Sequence, residues 1–251
     1  MYPQQGGGDA GARTAGYDRV STMFSPKGRL YQVEYAARIV EQGTLGVGIV
    51  YNNGVLLGAE KNVPSKLLLP NSIEKIFKVD DHIGVISSGL VGDARRLVKL
   101  ARQEAQENRM MFDEKIQVEA LVKDISSTKQ VFTQYAGMRP FGVSLIIGGI
   151  DDSGARLFET EPSGALAEYK AVAIGRGRRR AMEVLEEKYR EKMSLQNSVQ
   201  LIVEVISEAV KKEEKLDLNK LDFAYIDAAG EFTQLSLKEV KSFLGQEKAA
   251  K

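Results

Sequence analysis

The chain has 251 residues, and its 35 Lys and Arg side chains nearly balance 34 Asp and Glu, which leaves a formal charge of +1. So small a net charge gives no field strong enough to recruit nucleic acid or an anionic membrane. The sequence has no cysteine and one histidine, which excludes disulfides and argues against a histidine-based metal centre. We therefore expect no metal and no cofactor.

The amino-terminal segment, residues 1–16, is rich in Gly, Gln and Ala and contains no apolar stretch. This composition predicts a flexible tail rather than a secretory signal. No later apolar run reaches the length of about 20 residues that a membrane-spanning helix needs. The sequence favours a cytoplasmic protein in which residues 17–251 form one domain, because no linker-like segment interrupts them.

Residues 29–42 have the periodicity of a helix whose charged stripe is narrow and consists of Glu34, Arg38 and Glu41. Apolar side chains cover most of the remaining circumference. A helix of this kind is predicted to be enclosed between other elements. Gly43 is expected to end the helix in the left-handed conformation.

Short apolar runs separated by turn residues predict strands in the following regions: 45–51, 55–59, 75–79, 82–87, 141–150, 155–159, 166–174 and 223–227. Helical periodicity predicts further helices at 94–105, 118–132, 179–192, 194–211 and 237–244. The tight turns between successive strands, such as Asn52-Asn53-Gly54, are typical of antiparallel hairpins. The order of elements predicts a four-layer αββα sandwich of the α+β class rather than a doubly wound parallel sheet.

The sequence Ser25-Pro26-Lys27-Gly28 has Pro and Gly at positions that suit a tight turn before a helix. By spacing alone this is also an ordinary helix start. The segment 17–36, however, closely resembles the amino-terminal signature of proteasome α-type subunits, in particular the archaeal ones. Similar motifs continue through residues 71–76, 88–95, 139–145, 156–158 and 168–171, so the resemblance spans nearly the whole chain after the tail.

The resemblance implies a fold of the amino-terminal-nucleophile hydrolase type without a functional nucleophile. It also implies a ring of seven α subunits that caps rings of β subunits in the 20S core particle and gates substrate access for intracellular protein degradation. The chain would then be no enzyme by itself but part of a threonine-type endopeptidase complex whose catalytic sites lie in the β subunits. The expected partners are other α subunits, β subunits and a proteasome-activating ATPase or similar activator.

The resemblance also assigns roles to individual residues. Four of them are expected to bind the carboxyl-terminal tail of the activator: Lys75, Gly28, Glu34 and Gly89. An ammonium group such as that of Lys75 is suited to receive a terminal carboxylate. Four others are expected to hold the tails away from the pore, between neighbouring subunits: Tyr17, Asp18, Pro26 and Tyr35. No residue is expected to be catalytic.

Thr44 is the one candidate nucleophile. Together with Glu60 and Lys75 it resembles the threonine, acidic residue and lysine of proteasome β subunits. That chemistry requires the threonine to be the first residue, because its free α-amino group accepts the hydroxyl proton. In this chain Thr44 is internal, and its nitrogen belongs to a non-basic amide. The alternative is a threonine hydrolase that cleaves itself between Gly43 and Thr44, but the apolar helix before this bond favours a structural role.

A further alternative is an independent scaffold without a β partner, which only co-assembly with a β chain distinguishes from a ring subunit. Residues 176–180 form a basic, glycine-containing run without a complete dinucleotide fingerprint or P-loop. We interpret this run as a solvated helix start rather than a phosphate site, and its role is otherwise open. His82, beside two aspartates, is expected at the surface or at a sheet edge.

Overall fold

The computed structural model describes residues 16, 19–63, 65, 67–69, 72–210 and 216–245. Its helices are α1 (Tyr31–Gln42), α2 (Val91–Phe112), α3 (Val118–Phe132), α4 (Arg178–Lys188), α5 (Leu195–Val210) and α6 (Leu237–Phe243). Its strands are β1 (Gly46–Tyr51), β2 (Gly54–Glu60), β3 (Ile76–Asp80), β4 (Ile83–Gly89), β5 (Val143–Asp151), β6 (Gly154–Thr160), β7 (Leu166–Glu168), β8 (Ala171–Ile174), β9 (Leu221–Asp227) and β10 (Phe232–Leu235).

The strands form two antiparallel sheets of five strands each, in the orders β10-β9-β2-β1-β8 and β3-β4-β5-β6-β7. Apolar side chains are buried in three layers. One layer lies between the two sheets, a second between β3–β6 and helices α2 and α3, and a third between the other sheet and helices α4, α5 and α6. The predicted αββα sandwich is therefore confirmed. Within the described part of the chain, no helix is long and apolar enough to span a bilayer.

The predicted strand at 166–174 is two strands in different sheets. Strand β7 pairs with β6, whereas β8 pairs with β1 in the other sheet. The chain crosses between the sheets at Tyr169 and Lys170. The sequence does not reveal this crossing, because no Gly, Pro, Asn or Asp interrupts residues 166–174. Strand β10, which pairs with β9, was not predicted at all.

The prediction for the residue after α1 was wrong. Gly43 has φ −66° and ψ 159°, an extended rather than left-handed conformation. A Cβ atom at this position would lie 2.3 Å from Ser88 Oγ and 2.6 Å from the Gly89 nitrogen. Glycine is therefore required here by the close approach of β4, and not by the backbone dihedral angles.

Helix α1 is also less enclosed than its apolar circumference predicts. It contacts β4 and β5, but Ala36 and Val40 are its only buried residues. Most of its other side chains are partly exposed in the single chain. Its apolar residues Val33, Ala37 and Ile39 are therefore only partly buried by the fold.

Candidate functional site

The candidate site lies where the end of α1 and the start of β1 meet the end of β4. Ser88 Oγ donates toward the carbonyl oxygens of Thr44, at 3.0 Å, and Val40, at 3.3 Å. Gly89 has φ +117°, and a Cβ atom there would lie 2.2 Å from the carbonyl oxygen of Gly142. The hydroxyl thus fixes the end of α1 to β4, and glycine at position 89 is required by the backbone of the same chain.

Three charged side chains converge beside this junction. The Lys75 side chain is only 5% exposed, and burial lowers the pKa of its ammonium group to about 8, although the Glu60 carboxylate raises it. Glu60 is 3% exposed and accepts hydrogen bonds from Arg176 Nη2 at 3.1 and 3.3 Å. The backbone nitrogen of Arg176 donates to the Gly43 carbonyl oxygen at 2.8 Å. Glu60 therefore lies between two cations, one buried and one half exposed.

Thr44 lies in the same region but lacks what a nucleophile needs. Its Oγ1 is buried without a hydrogen-bond partner among the residues that the structure describes. Its nitrogen is a peptide amide, which cannot accept the proton of the hydroxyl group. The arrangement can attract an anion through Lys75, but it does not provide the base that acyl transfer to Thr44 requires.

A second group of predicted residues lies at the start of α1. The turn predicted at residues 25–28 is present, since the Gly28 nitrogen donates to the Ser25 carbonyl oxygen at 2.8 Å. The guanidinium of Arg29 forms a two-point ion pair with Glu34 and holds the pKa of that carboxyl below its ordinary value. The Tyr35 ring stacks on that of Tyr31, with 6.3 Å between the ring centroids.

The structure thus divides the predicted activator-binding residues into two groups. Lys75 and Gly89 lie at the junction of α1 and β4, whereas Gly28 and Glu34 lie at the amino-terminal end of α1. Glu34 precedes Val40 by six residues, which corresponds to about 9 Å along a helix.

Of the residues predicted to form the gate, Pro26 is exposed in the turn and Tyr35 is partly exposed on α1. Tyr17 and Asp18 lie outside the described residues, as do residues 1–15 of the predicted tail.

The basic run at 176–180 starts helix α4, and its arginine side chains are between 41% and 96% exposed, as expected for a solvated helix start. Most of these arginines are also paired with acidic residues, which was not predicted. Arg176 binds Glu60 on β2, Arg178 binds Glu159 on β6 at 2.7 Å, and Arg180 binds Glu208 on α5. Arg179 has the most exposed side chain of the four, at 96%. Local sequence gave no signal for these pairs, since their partners lie far away along the chain.

The expectation for His82 was also wrong. Its side chain is fully buried, and its Nε2 lies 2.8 Å from the Ile116 carbonyl oxygen. Among the residues with described positions, no group of three acidic or histidine side chains is arranged to hold a metal ion.

Comparison with known proteins agrees with these observations. Residues 40–226 match the family model of proteasome subunits, and residues 17–38 match the model of the amino-terminal signature of the α-type subunits. The chain is 51% identical over 230 residues to the proteasome alpha subunit of Methanopyrus kandleri, an alignment that covers 92% of each chain. It is 50% identical over 232 residues to that of Methanoregula boonei, with 92% of this chain and 96% of the relative covered.

The position of the signature also bears on the choice between α-type and β-type subunits. It lies wholly before Gly43, in the segment that self-processing at Thr44 would remove, so the β-type alternative is not favoured. The chain therefore belongs to the proteasome subunit family, and its amino-terminal signature is that of the α-type subunits.

Proposed function

We propose that this chain is a non-catalytic subunit of the α ring of a 20S proteasome, a cytoplasmic complex for protein degradation. In this proposal seven α subunits form the outer ring, and the threonine-type peptidase sites lie in the β subunits. The observation that carries the proposal is the position of Thr44, which follows a helix bonded into the fold and has no free amino group. The partly exposed surface of α1 supports it, because a ring would cover such a surface.

We further propose that Lys75 receives the terminal carboxylate of an activator tail. Its burial supports this role, because a charge–charge interaction is stronger where water is largely excluded. The position of Lys75 and Gly89 at one end of α1 and of Gly28 and Glu34 at the other is compatible with a pocket to which two adjacent subunits contribute, one through each pair.

The test is degradation of an unfolded protein by the particle assembled from this chain and a β chain, with and without the activating ATPase. Lys75→Ala should abolish the stimulation by the ATPase. Lys78→Ala is the matched control, because Lys78 lies in β3, three residues after Lys75, with its side chain 49% exposed. This control variant should leave the stimulation intact. Full stimulation in Lys75→Ala particles, with ring formation verified by native mass spectrometry, would remove Lys75 from the pocket.

The same native mass spectra test the two other functions considered for this chain. A subunit of 27.6 kDa in closed rings with a β chain supports the proposal. A subunit shortened to begin at Thr44 would make the chain a threonine hydrolase. Rings that never bind a β chain would make it an independent scaffold.

We also propose that residues 1–16 close the pore and that Tyr17, Asp18, Pro26 and Tyr35 hold the tails aside when it opens. Deletion of residues 1–16 should raise the degradation of unfolded protein without an activator. An unchanged rate in intact particles would show that another segment is the barrier.

A further inference from the structure

Arg176 belongs to the same cluster as Lys75 but has no assigned role. It is attached to the cluster at two points, through the bond from its backbone nitrogen to the Gly43 carbonyl oxygen and through the ion pair of its guanidinium with Glu60. Its guanidinium is 51% exposed, whereas Glu60 is almost fully buried. The buried Glu60 carboxylate is thus neutralised by a guanidinium group that is itself half exposed to solvent.

Glu60 is unfavourable for a site that receives an anion. A buried carboxylate next to Lys75 attracts the ammonium group and repels an incoming carboxylate, and both effects are strong where water is largely excluded. Arg176 opposes both effects, because its charge compensates that of Glu60. Together the groups of Glu60, Lys75 and Arg176 carry one net positive charge when all are ionised, whereas without Arg176 the remaining two sum to zero.

We propose that Arg176 is a positioning residue of the Lys75 pocket, which compensates Glu60 and so keeps Lys75 available for a peptide carboxylate. This inference rests on the proposed activator-binding function of Lys75. The ligand class is the free carboxyl terminus of a protein tail, and the contribution of Arg176 is electrostatic and acts through Glu60. Arg176 therefore affects the binding of the carboxylate more than that of the rest of the tail.

The test measures binding of a fluorescent heptapeptide, with the sequence of the activator's carboxyl terminus, to assembled particles by fluorescence polarisation. The peptide is used as the free acid and as the carboxyl-terminal amide. Arg176→Met should weaken binding of the acid about fivefold to tenfold, the scale of one nearby charge in a partly solvated site. It should leave binding of the amide within about twofold of the wild-type value.

Two further variants separate charge from structural damage. Arg176→Lys keeps the positive charge and should bind the acid nearly as well as wild type. The double variant Arg176→Met with Glu60→Gln removes both charges of the pair and should restore the affinity that Arg176→Met loses. Native mass spectra show whether each variant still forms rings, and the double variant also relieves any cost of leaving Glu60 buried without its arginine.

The outcomes distinguish this inference from the function on which it rests. If Lys75→Ala abolishes binding of the acid while Arg176→Met leaves it unchanged, the pocket stands and the role of Arg176 is refuted. An equal loss for acid and amide, or no recovery in the double variant, also refutes it. If Lys75→Ala binds the acid as well as wild type, the proposed pocket itself is wrong.

Discussion

Lys129 gives the sharpest test of the electrostatics of the fold. It lies on α3 with its side chain fully buried. Its Nζ lies within hydrogen-bond distance of the carbonyl oxygens of Val143 and Thr160 and of Thr160 Oγ1, at 3.1, 3.0 and 2.7 Å. Burial lowers its pKa to about 7, although the carboxylates of Glu159 and Glu161 raise it. The folded state therefore favours a neutral amine at a pH where the unfolded chain carries an ammonium ion.

The sign and size of the effect follow from proton linkage. Between about pH 7 and the ordinary lysine pKa, the unfolded chain binds a proton at Lys129 that the folded chain does not, so the free energy of unfolding rises with pH. The slope is about 1.4 kcal/mol per pH unit, and the whole shift corresponds to about 5 kcal/mol. Between pH 7.5 and 9.5 the wild-type chain should gain about 3 kcal/mol relative to Lys129→Met.

The assay is urea unfolding followed by circular dichroism at one protomer concentration, for the wild type and Lys129→Met at several pH values in that range. Lys123→Met is the control, because Lys123 lies on the same helix with its side chain 62% exposed, and its difference from the wild type should not change with pH. A difference between wild type and Lys129→Met that also stays constant would show that Lys129 remains charged in the folded state.

Three further variants test the remaining structural arguments by their thermal unfolding. Gly43→Ala should destabilise the fold by about 2 kcal/mol or more, because its Cβ would overlap Ser88 and the adjacent backbone; an unchanged midpoint would contradict the close approach. Asp93→Ala should cost about 1 to 3 kcal/mol at neutral pH, since this carboxylate accepts hydrogen bonds from Arg139 and from the Gly142 nitrogen. The Arg139 bond lowers the Asp93 pKa, so this loss should shrink as the pH falls below the ordinary carboxyl range; a loss that persists in acid would refute the ionic explanation. Ser236→Ala should cost about 1 kcal/mol by removing the capping box of α6, and Ser236→Asn should lose less if capping is the cause.

The layered fold was predictable because its signals are local. Tight turns between short apolar runs predict antiparallel sheets, and the helical repeat of apolar residues predicts which helix faces are buried. The helical repeat of apolar residues in the predicted helix at 94–105 places Ala94, Leu97 and Ala101 on one face, and all three are buried. The crossing at Tyr169 and Lys170 was not predictable in this way, because the choice of sheet depends on contacts between distant parts of the chain.

The buried polar side chains that were not predicted differ in how far the sequence could have revealed their burial. Lys129 follows Ile125 by four residues on the apolar stripe of α3, so a local signal for a buried lysine was present. The pair of Arg176 with Glu60 spans 116 positions, and no local pattern connects them. The burial of His82 likewise depends on Ile116, which lies on the segment between α2 and α3.

The cluster around Thr44 shows why side-chain identity alone does not decide catalysis. Its threonine, acid and lysine are those that the resemblance associates with a working β subunit. Two features of the surrounding chain change what they can do. Thr44 has an amide in place of a free amine, so its hydroxyl lacks the base that it needs. Glu60 pairs with Arg176, and in the proposal made above this pairing leaves Lys75 available for an anion.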